Sequence, residues 1–411
     1  MRKQDEQTDR RGFLKTCFAG LAAFGLLGKG RLRPSSGFES QDSRDLNGKD
    51  VVRRTLGKTG LRLPVVSMGV MNTSSPDLVR KSFETGVRLF DTAAFYQRGQ
   101  NETMVGQVIK DLRAREDVAV ATKALSPVER RPLPPKERKT AFLASAEESL
   151  RRLQTDYIDI LYFHSVDNLE ELTNPWVQEA MQEVKDRKKA RAVGFSTHRS
   201  LPCIREAAKS GFFDVILTTY NYSLHDDREL SQALTAAHSE GIGIIAMKTQ
   251  CGNYLDRQGW PEHLKKYIKG KILHTAVLKW ALRNEFITTA IPGFSNFQHI
   301  EEDFSVAYDL EYTPEEKRFL EEKGLILALG YCQQCGRCLR TCPRSVEVPT
   351  LMRAHLYAAC YTNFSQARDA LQSLPQERGL PACETCPRCQ AACPNGIDVA
   401  KRIEELKTLW A

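Results

Sequence analysis

The chain has 411 residues, of which 41% are hydrophobic and 27% charged, a composition that folds in water and excludes a long disordered polymer. Gly 26 and Pro 18 are ordinary counts, so collagen-like and low-complexity architectures are excluded as well. The formal net charge of +8 comes without a dense basic stripe interleaved with aromatics, so the chain does not read as a nucleic-acid binder.

The first element in chain order is an address. Residues 8–15 read Thr-Asp-Arg-Arg-Gly-Phe-Leu-Lys, and an apolar stretch runs from Thr16 to Gly28. At about 13 residues, or about 20 Å as helix, it is too short to span a bilayer. No other run reaches the roughly 18 apolar residues a membrane helix needs. The length suits a signal-peptide apolar region. The segment resembles a twin-arginine export signal, with Arg10-Arg11 as its pair and Phe13-Leu14-Lys15 behind it. The resemblance implies export in the folded state by the bacterial twin-arginine machinery, to the periplasm or the outer face of the cytoplasmic membrane. Residues 1–30 are read as the signal and 31–52 as a polar linker. No A-x-A site is visible, so cleavage and retention as an anchor both stay open.

From residue 53 to residue 325, short apolar runs alternate with amphipathic stretches. Strands are expected at 65–69, 88–92, 117–123, 157–164, 192–196, 215–221, 243–248 and 288–293. Helices are expected at 76–86, 101–113, 136–153, 175–189, 201–210, 227–240, 274–285 and 295–307, with Ser75, Asn101 and Asn174 as candidate caps. Eight such units in roughly 270 residues predict an α/β fold, a (β/α)8 TIM barrel. The strands are nearly continuous apolar runs, as a parallel sheet covered on both faces requires. An open doubly wound sheet is the alternative, but no G-x-G-x-x-G follows the first strand.

In such a barrel the chemistry sits at the C-terminal strand ends. The second strand ends in Asp91, with Tyr96 five residues on; the third ends in Lys123 and the fourth in His164. Lys123 and Asp91 can pair inside the rim. An ammonium beside Tyr96 is expected to lower the phenol below its usual value near 10. Such a tyrosine serves as acid or base at a carbonyl oxygen, which His164 can orient by hydrogen bonding. Taken singly, each has a plain structural reading: a helix cap, a surface ion pair, a satisfied core histidine, a packed loop aromatic. Four of them at consecutive strand ends favour catalysis.

The motifs around these residues resemble those of the aldo-keto reductases. They are Phe90-Asp91-Thr92-Ala93-x-x-Tyr96, Ala121-Thr122-Lys123, Tyr162-Phe163-His164-Ser165, and the opening Arg54-Thr55-Leu56-Gly57-Lys58-Thr59-Gly60-Leu61. The resemblance covers about residues 53–324. It implies an NAD(P)-dependent oxidoreductase that interconverts a small-molecule carbonyl and alcohol by hydride transfer, with Asp91, Tyr96, Lys123 and His164 as its tetrad. It further implies cofactor contacts from Ser196, Thr197 and either Tyr220 or Asn221 at the nicotinamide, and from Met247 and Lys248 near the pyrophosphate. Gly293, Ser295, Asn296, Gln298 and Glu302 would reach the adenosine phosphate, where a helix N-terminus suits a phosphate. Thr197 stands where the family usually has asparagine. Gly293 and His299 stand where NADP-preferring members commonly place a basic residue, so NADP and NAD both stay open.

The tail, 326–411, holds nine of the 12 cysteines. Eight form two runs of identical spacing, Cys332-x2-Cys335-x2-Cys338-x3-Cys342-Pro343 and Cys383-x2-Cys386-x2-Cys389-x3-Cys393-Pro394. Three close thiolates plus a displaced fourth fit an iron–sulfur cube, the fourth serving the other cluster. One [4Fe–4S] cluster would take Cys332, Cys335, Cys338 and Cys393, the second Cys383, Cys386, Cys389 and Cys342. Zinc sites more often arrive as paired CxxC units, and a disulfide framework does not need a duplicated spacing. The tail resembles a bacterial two-cluster ferredoxin, a small helical iron–sulfur domain, with a helical insert of about 40 residues between the runs, longer than in the smallest ferredoxins. Such clusters can serve an external redox partner protein. The alternative reading is an exported electron-transfer or docking protein whose barrel turns over little.

Overall fold

The computed structural model describes residues 49–251, 262–267 and 272–410. The expected signal segment, and the linker through residue 48, lie outside them. An antiparallel hairpin, β1 (Arg53–Thr55) and β2 (Arg62–Pro64), opens the described chain. Eight parallel strands follow: β3 (Met68–Gly69), β4 (Leu89–Asp91), β5 (Ala119–Ala124), β6 (Ile158–Phe163), β7 (Ala190–Thr197), β8 (Val215–Thr219), β9 (Gly243–Met247) and β10 (Thr289–Ala290). They pair in chain order, and a parallel bridge from Val66 to Ala290 brings the last strand back to the first. The result is a near-closed TIM-like barrel. Every expected strand position carries a strand.

The seam between first and last strands is tight. Gly69 donates its backbone N–H to Pro292 at 2.9 Å, and a Cβ on Gly69 would stand 2.8 Å from the Ile291 carbonyl oxygen. Only glycine admits that approach without movement.

Side-chain alternation divides each strand between two cores. Leu89, Ala119, Ala121, Ile160, Tyr162, Val215, Leu217 and Ile245 fill the barrel interior, joined by Leu56 and Leu63 from the hairpin region. Phe90, Val120, Leu161, Phe163, Val193 and Ile216 face the surrounding helices. The same alternation puts Asp91 and Lys123 on the interior side, above that core.

The expected helices form as Pro76–Thr85, Gln100–Leu112, Pro135–Leu153, Pro175–Asp186, Leu201–Ser210, Arg228–Ser239, Ile272–Leu282 and Phe297–Ser305. Asn174 caps its helix by accepting from the Trp176 N–H. Ser75 makes no side-chain cap bond. Asn101 is not a cap either. It is buried in the first turn, where its amide donates to the Val70 and Thr73 carbonyls at 2.9 and 3.0 Å and accepts from Thr92 Oγ1 at 2.7 Å. That side chain ties the β3 and β4 ends together at the rim.

Beyond Gly324 the chain folds onto the barrel mouth. The helix Val348–His355 continues as a π-helical turn, Leu356–Cys360, and Phe364–Gln372 and Val399–Trp410 pack beside it. Leu351, Met352, Ala354, Ala367, Ile403 and Leu406 form their shared core, with Met71 of the barrel against it. Asn363 donates its amide to the Met71 carbonyl at 3.3 Å and to Asn72 Oδ1 at 3.1 Å. Gln333 donates to the Ser223 carbonyl. Among the described residues no helix is long and apolar enough to cross a membrane.

Candidate active site

A cavity of about 350 Å³ opens at the C-terminal ends of the strands. Asp91, Tyr96 and Lys123 line it together. Register explains two of them: Asp91 pairs with Ala121, so Lys123 stands one interior position higher, level with Tyr162. Lys123 Nζ donates to Asp91 Oδ1 and, at 2.6 Å, to the Thr92 carbonyl. Both side chains are almost fully buried. Burial pushes the Asp91 carboxyl up and the Lys123 ammonium down, and their mutual attraction opposes both shifts.

The chain turns sharply after three of the strands, β4, β6 and β9. Gln97, Arg98 and Ser165 adopt left-handed backbone at φ of 51°, 55° and 52°, and Lys248 at 57°. Each such non-glycine residue costs about 1–2 kcal/mol, held in place by its surroundings. These turns set Tyr96, His164 and Lys248 at the mouth.

Lys123 Nζ lies 4.9 Å from the centre of the Tyr96 ring. The expected lowering of the tyrosine does not follow. Burial, then Asp91 and Tyr357, hold its phenol well above the ordinary value. Tyr96 therefore keeps its proton at neutral pH. His164 packs edge-on to it with ring centres 6.1 Å apart. His164 lines a separate, smaller chamber rather than the main cavity. Loss of water around its ring, then Lys123, Arg130, Arg353 and Lys248, hold it well below the usual histidine value, so it is a neutral imidazole. Its Nδ1 has no partner among the described residues.

Of the expected cofactor contacts, Met247, Lys248, Gly293, Ser295 and Glu302 line the main cavity. Ser196, Thr197 and Asn221 do not. The Ser196 hydroxyl accepts from the Ser165 N–H at 2.8 Å, Thr197 donates to Asp167 at 2.5 Å, and Asn221 donates to the Lys248 carbonyl at 3.1 Å. Asn296 caps the helix Phe297–Ser305, and Gln298 donates to Glu302 at 2.6 Å on the outside. The cavity suits a nicotinamide dinucleotide on several counts: its size, the Lys248 cation, and the buried Asp91 Oδ2 and Thr249 Oγ1, which have no partner among the described residues.

Asp303 lines the same wall. Burial pushes its carboxyl up to about 8, and Gln250 donates to it at 2.6 Å. A raised carboxyl costs the fold nothing below its unfolded pKa, and progressively more as pH rises toward the folded one. Asp303→Asn is therefore expected to stabilise the protein, and the gain should grow by about 3 kcal/mol between about pH 5.5 and about pH 8.5. Thermal midpoints across that range check it; a gain independent of pH would place the charge elsewhere.

Sequence reading missed the part of the site that comes from the tail. Cys360, Tyr361 and Thr362 line the main cavity. Lys248 Nζ stands 5.1 Å over the Tyr357 ring. These residues lie between the cysteine runs, where no motif marks them. Tyr162 was also missed: it is fully buried, with its hydroxyl unpartnered among the described residues, level with Lys123.

The cysteines fall into two sets. Cys332 feels Cys338, Cys393 and Cys335 as neighbouring charges, and Cys383 feels Cys342, Cys389 and Cys386. The second set surrounds a cavity of about 70 Å³. Among the described residues no three Cys, His, Asp or Glu side chains stand close enough together to hold a single metal ion.

Residues 67–324 match the model of the aldo/keto reductase family, and residues 331–398 that of the 4Fe-4S dicluster domain. The L-galactose dehydrogenase of Arabidopsis thaliana is 29% identical over 316 residues, covering 67% of this chain and 93% of that one. The holo form of an aldo-keto reductase from Bacillus halodurans superposes with a TM-score of 0.53 at 22% identity, covering 66% of this chain and 95% of that one. An aldo-keto reductase from Klebsiella pneumoniae in complex with NADPH gives 0.51 at 22% identity, covering 66% and 94%.

Proposed function

The chain belongs to the aldo/keto reductase family and is an oxidoreductase with a C-terminal 4Fe-4S domain, and from that premise we propose that it reduces a small-molecule carbonyl to an alcohol with a nicotinamide cofactor, served by two [4Fe–4S] clusters. One observation carries the reading: Asp91, Tyr96 and Lys123 share a cavity with Met247, Lys248, Gly293, Ser295 and Glu302. The nicotinamide, when bound, supplies the hydride. Tyr96 holds the proton for the substrate oxygen, and burial keeps its phenol protonated until the oxygen takes that proton. Lys123, fixed by Asp91 and the Thr92 carbonyl, offers positive charge where the phenolate develops. His164, a neutral imidazole, hydrogen-bonds and orients the carbonyl. Lys248 faces the cofactor phosphates.

At the other end of the cavity the wall is acidic. Glu302 faces it beside Asp303, whose carboxyl burial holds up to about 8, and burial holds His299 below its usual pKa. Among the described residues a 2′-phosphate finds no firm cation there, which favours NAD over NADP. Cys332, Cys335, Cys338 and Cys393 would hold one cluster and Cys383, Cys386, Cys389 and Cys342 the other. The clusters supply one-electron exchange with an external partner. Residues 1–30 would direct export of the folded, metal-loaded protein through the twin-arginine machinery, and 53–325 and 326–411 would be its two domains.

The test is anaerobic holo-protein mixed with NADH or NADPH and an aldehyde panel. Aldehyde-dependent oxidation of the nicotinamide, faster with NADH, is expected. Nicotinamide that binds without oxidation in the presence of any aldehyde would sink the reductase reading. Bleaching of the brown cluster absorbance by NADH alone is expected where barrel and clusters exchange electrons.

A further inference from the structure

A second chamber, of about 50 Å³, lies on the His164 side of the mouth, between barrel and tail. By that measure a water needs roughly 10–15 Å³, so the space takes a group of a few heavy atoms. His164, His198, Arg353, Tyr357, Gln366 and Asp369 define it. His198 is 8% exposed, and its Nδ1, like that of His164, is buried without a partner among the described residues.

Arg353 is the unusual member. It comes from the helix Val348–His355 of the tail, and its side chain is only 10% exposed. Its nearest carboxylate is Asp167, 3.9 Å away and 44% exposed. Asp167 is already engaged, accepting from Thr197 Oγ1 at 2.5 Å and the His198 N–H at 3.0 Å. Among the described residues its other guanidinium contact is the Thr350 hydroxyl at 3.4 Å. A cation this buried normally has a firm anionic partner. Asp369, at the chamber's other wall, does not fill that role. Burial pushes it up to about 6, the cations it feels are Arg368 and Arg98, and the Gln366 amide approaches it at 3.4 Å.

We propose that this chamber is the substrate's carboxylate subsite, and that Arg353 makes the enzyme select carbonyl compounds bearing a carboxylate. A guanidinium presents two parallel N–H donors, which match a planar carboxylate. The His198 and His164 side chains line the same chamber. A substrate anchored there reaches past His164 toward Tyr96, whose rings are in contact. Arg353 is a specificity-determining residue supplied by the domain that carries the cysteines. The proposal rests on the carbonyl-reductase reading above.

The experiment compares aldehydes of equal chain length on anaerobic holo-protein: glyoxylate against acetaldehyde, and succinic semialdehyde against butanal. The wild type is expected to favour at least one acid by about tenfold or more in kcat/KM, the worth of a charged hydrogen-bonded pair. Arg353→Gln should bring the acid-to-neutral ratio close to one, and Arg353→Lys should keep part of it. A wild type with no preference for either acid overturns the proposal and needs no variant. So does R353Q with the wild-type ratio. If no aldehyde is turned over at all, the reductase reading fails instead. Calorimetric binding of the two acids to wild type and R353Q then decides the subsite alone: equal affinity overturns it, and a loss of about tenfold supports it.

Discussion

Tyr96→Phe is expected to cut carbonyl reduction by about 100- to 10,000-fold, the usual worth of a positioned proton donor. The change removes one hydroxyl and nothing else. The ring keeps its edge-on contact with His164 and its place under Lys123 Nζ. Iron content, the thermal midpoint and nicotinamide affinity are expected to stay at wild-type values. Single-turnover oxidation of bound NADH by an aldehyde reads the chemical step directly. Retention of activity within about tenfold would remove Tyr96 from the chemistry and favour a barrel that serves docking or electron transfer.

Lys123→Met is expected to be costly in a different currency. Asp91 would be left buried with both oxygens lacking a charged partner, since its Oδ2 already has none among the described residues. Breaking a buried pair this way costs about 3–5 kcal/mol. Asp91→Asn combined with Lys123→Met removes both charges and should recover most of that loss, while activity stays low. Urea midpoints of the two variants and wild type check this. A double variant no more stable than the single one would mean that the loss comes from packing of the lysine stem.

The barrel was legible because its signals are local. Eight apolar runs at regular spacing, each followed by an amphipathic stretch, leave few folds open, and every run became a strand. Alternation along those runs also places Asp91 and Lys123 on the interior side. Three things were not legible. The ionisation of Tyr96 depends on how much water and which neighbours surround it. Asp91 and Tyr357 sit beside it along with Lys123, and Tyr357 comes from about 260 residues away. Asn101 looked like a cap because its type and position fit one, yet it was spent on joining the β3 and β4 ends. The cysteine runs announced their chemistry by spacing alone, but the residues strung between them carry no pattern that says they will cover a distant cavity.

That cover bears on how preference is inherited among relatives. The L-galactose dehydrogenase match spans 67% of this chain, and the family match ends at residue 324. Arg353, Tyr357, Cys360, Tyr361 and Thr362 all lie past that point, and all of them wall the mouth. A mutation between the two cysteine runs can therefore redraw what enters the barrel while every barrel residue stays as it is. Selectivity and reactivity are free to drift apart here, one written in the appendage and the other in the barrel. Two proteins with identical barrels and different tails need not share a substrate.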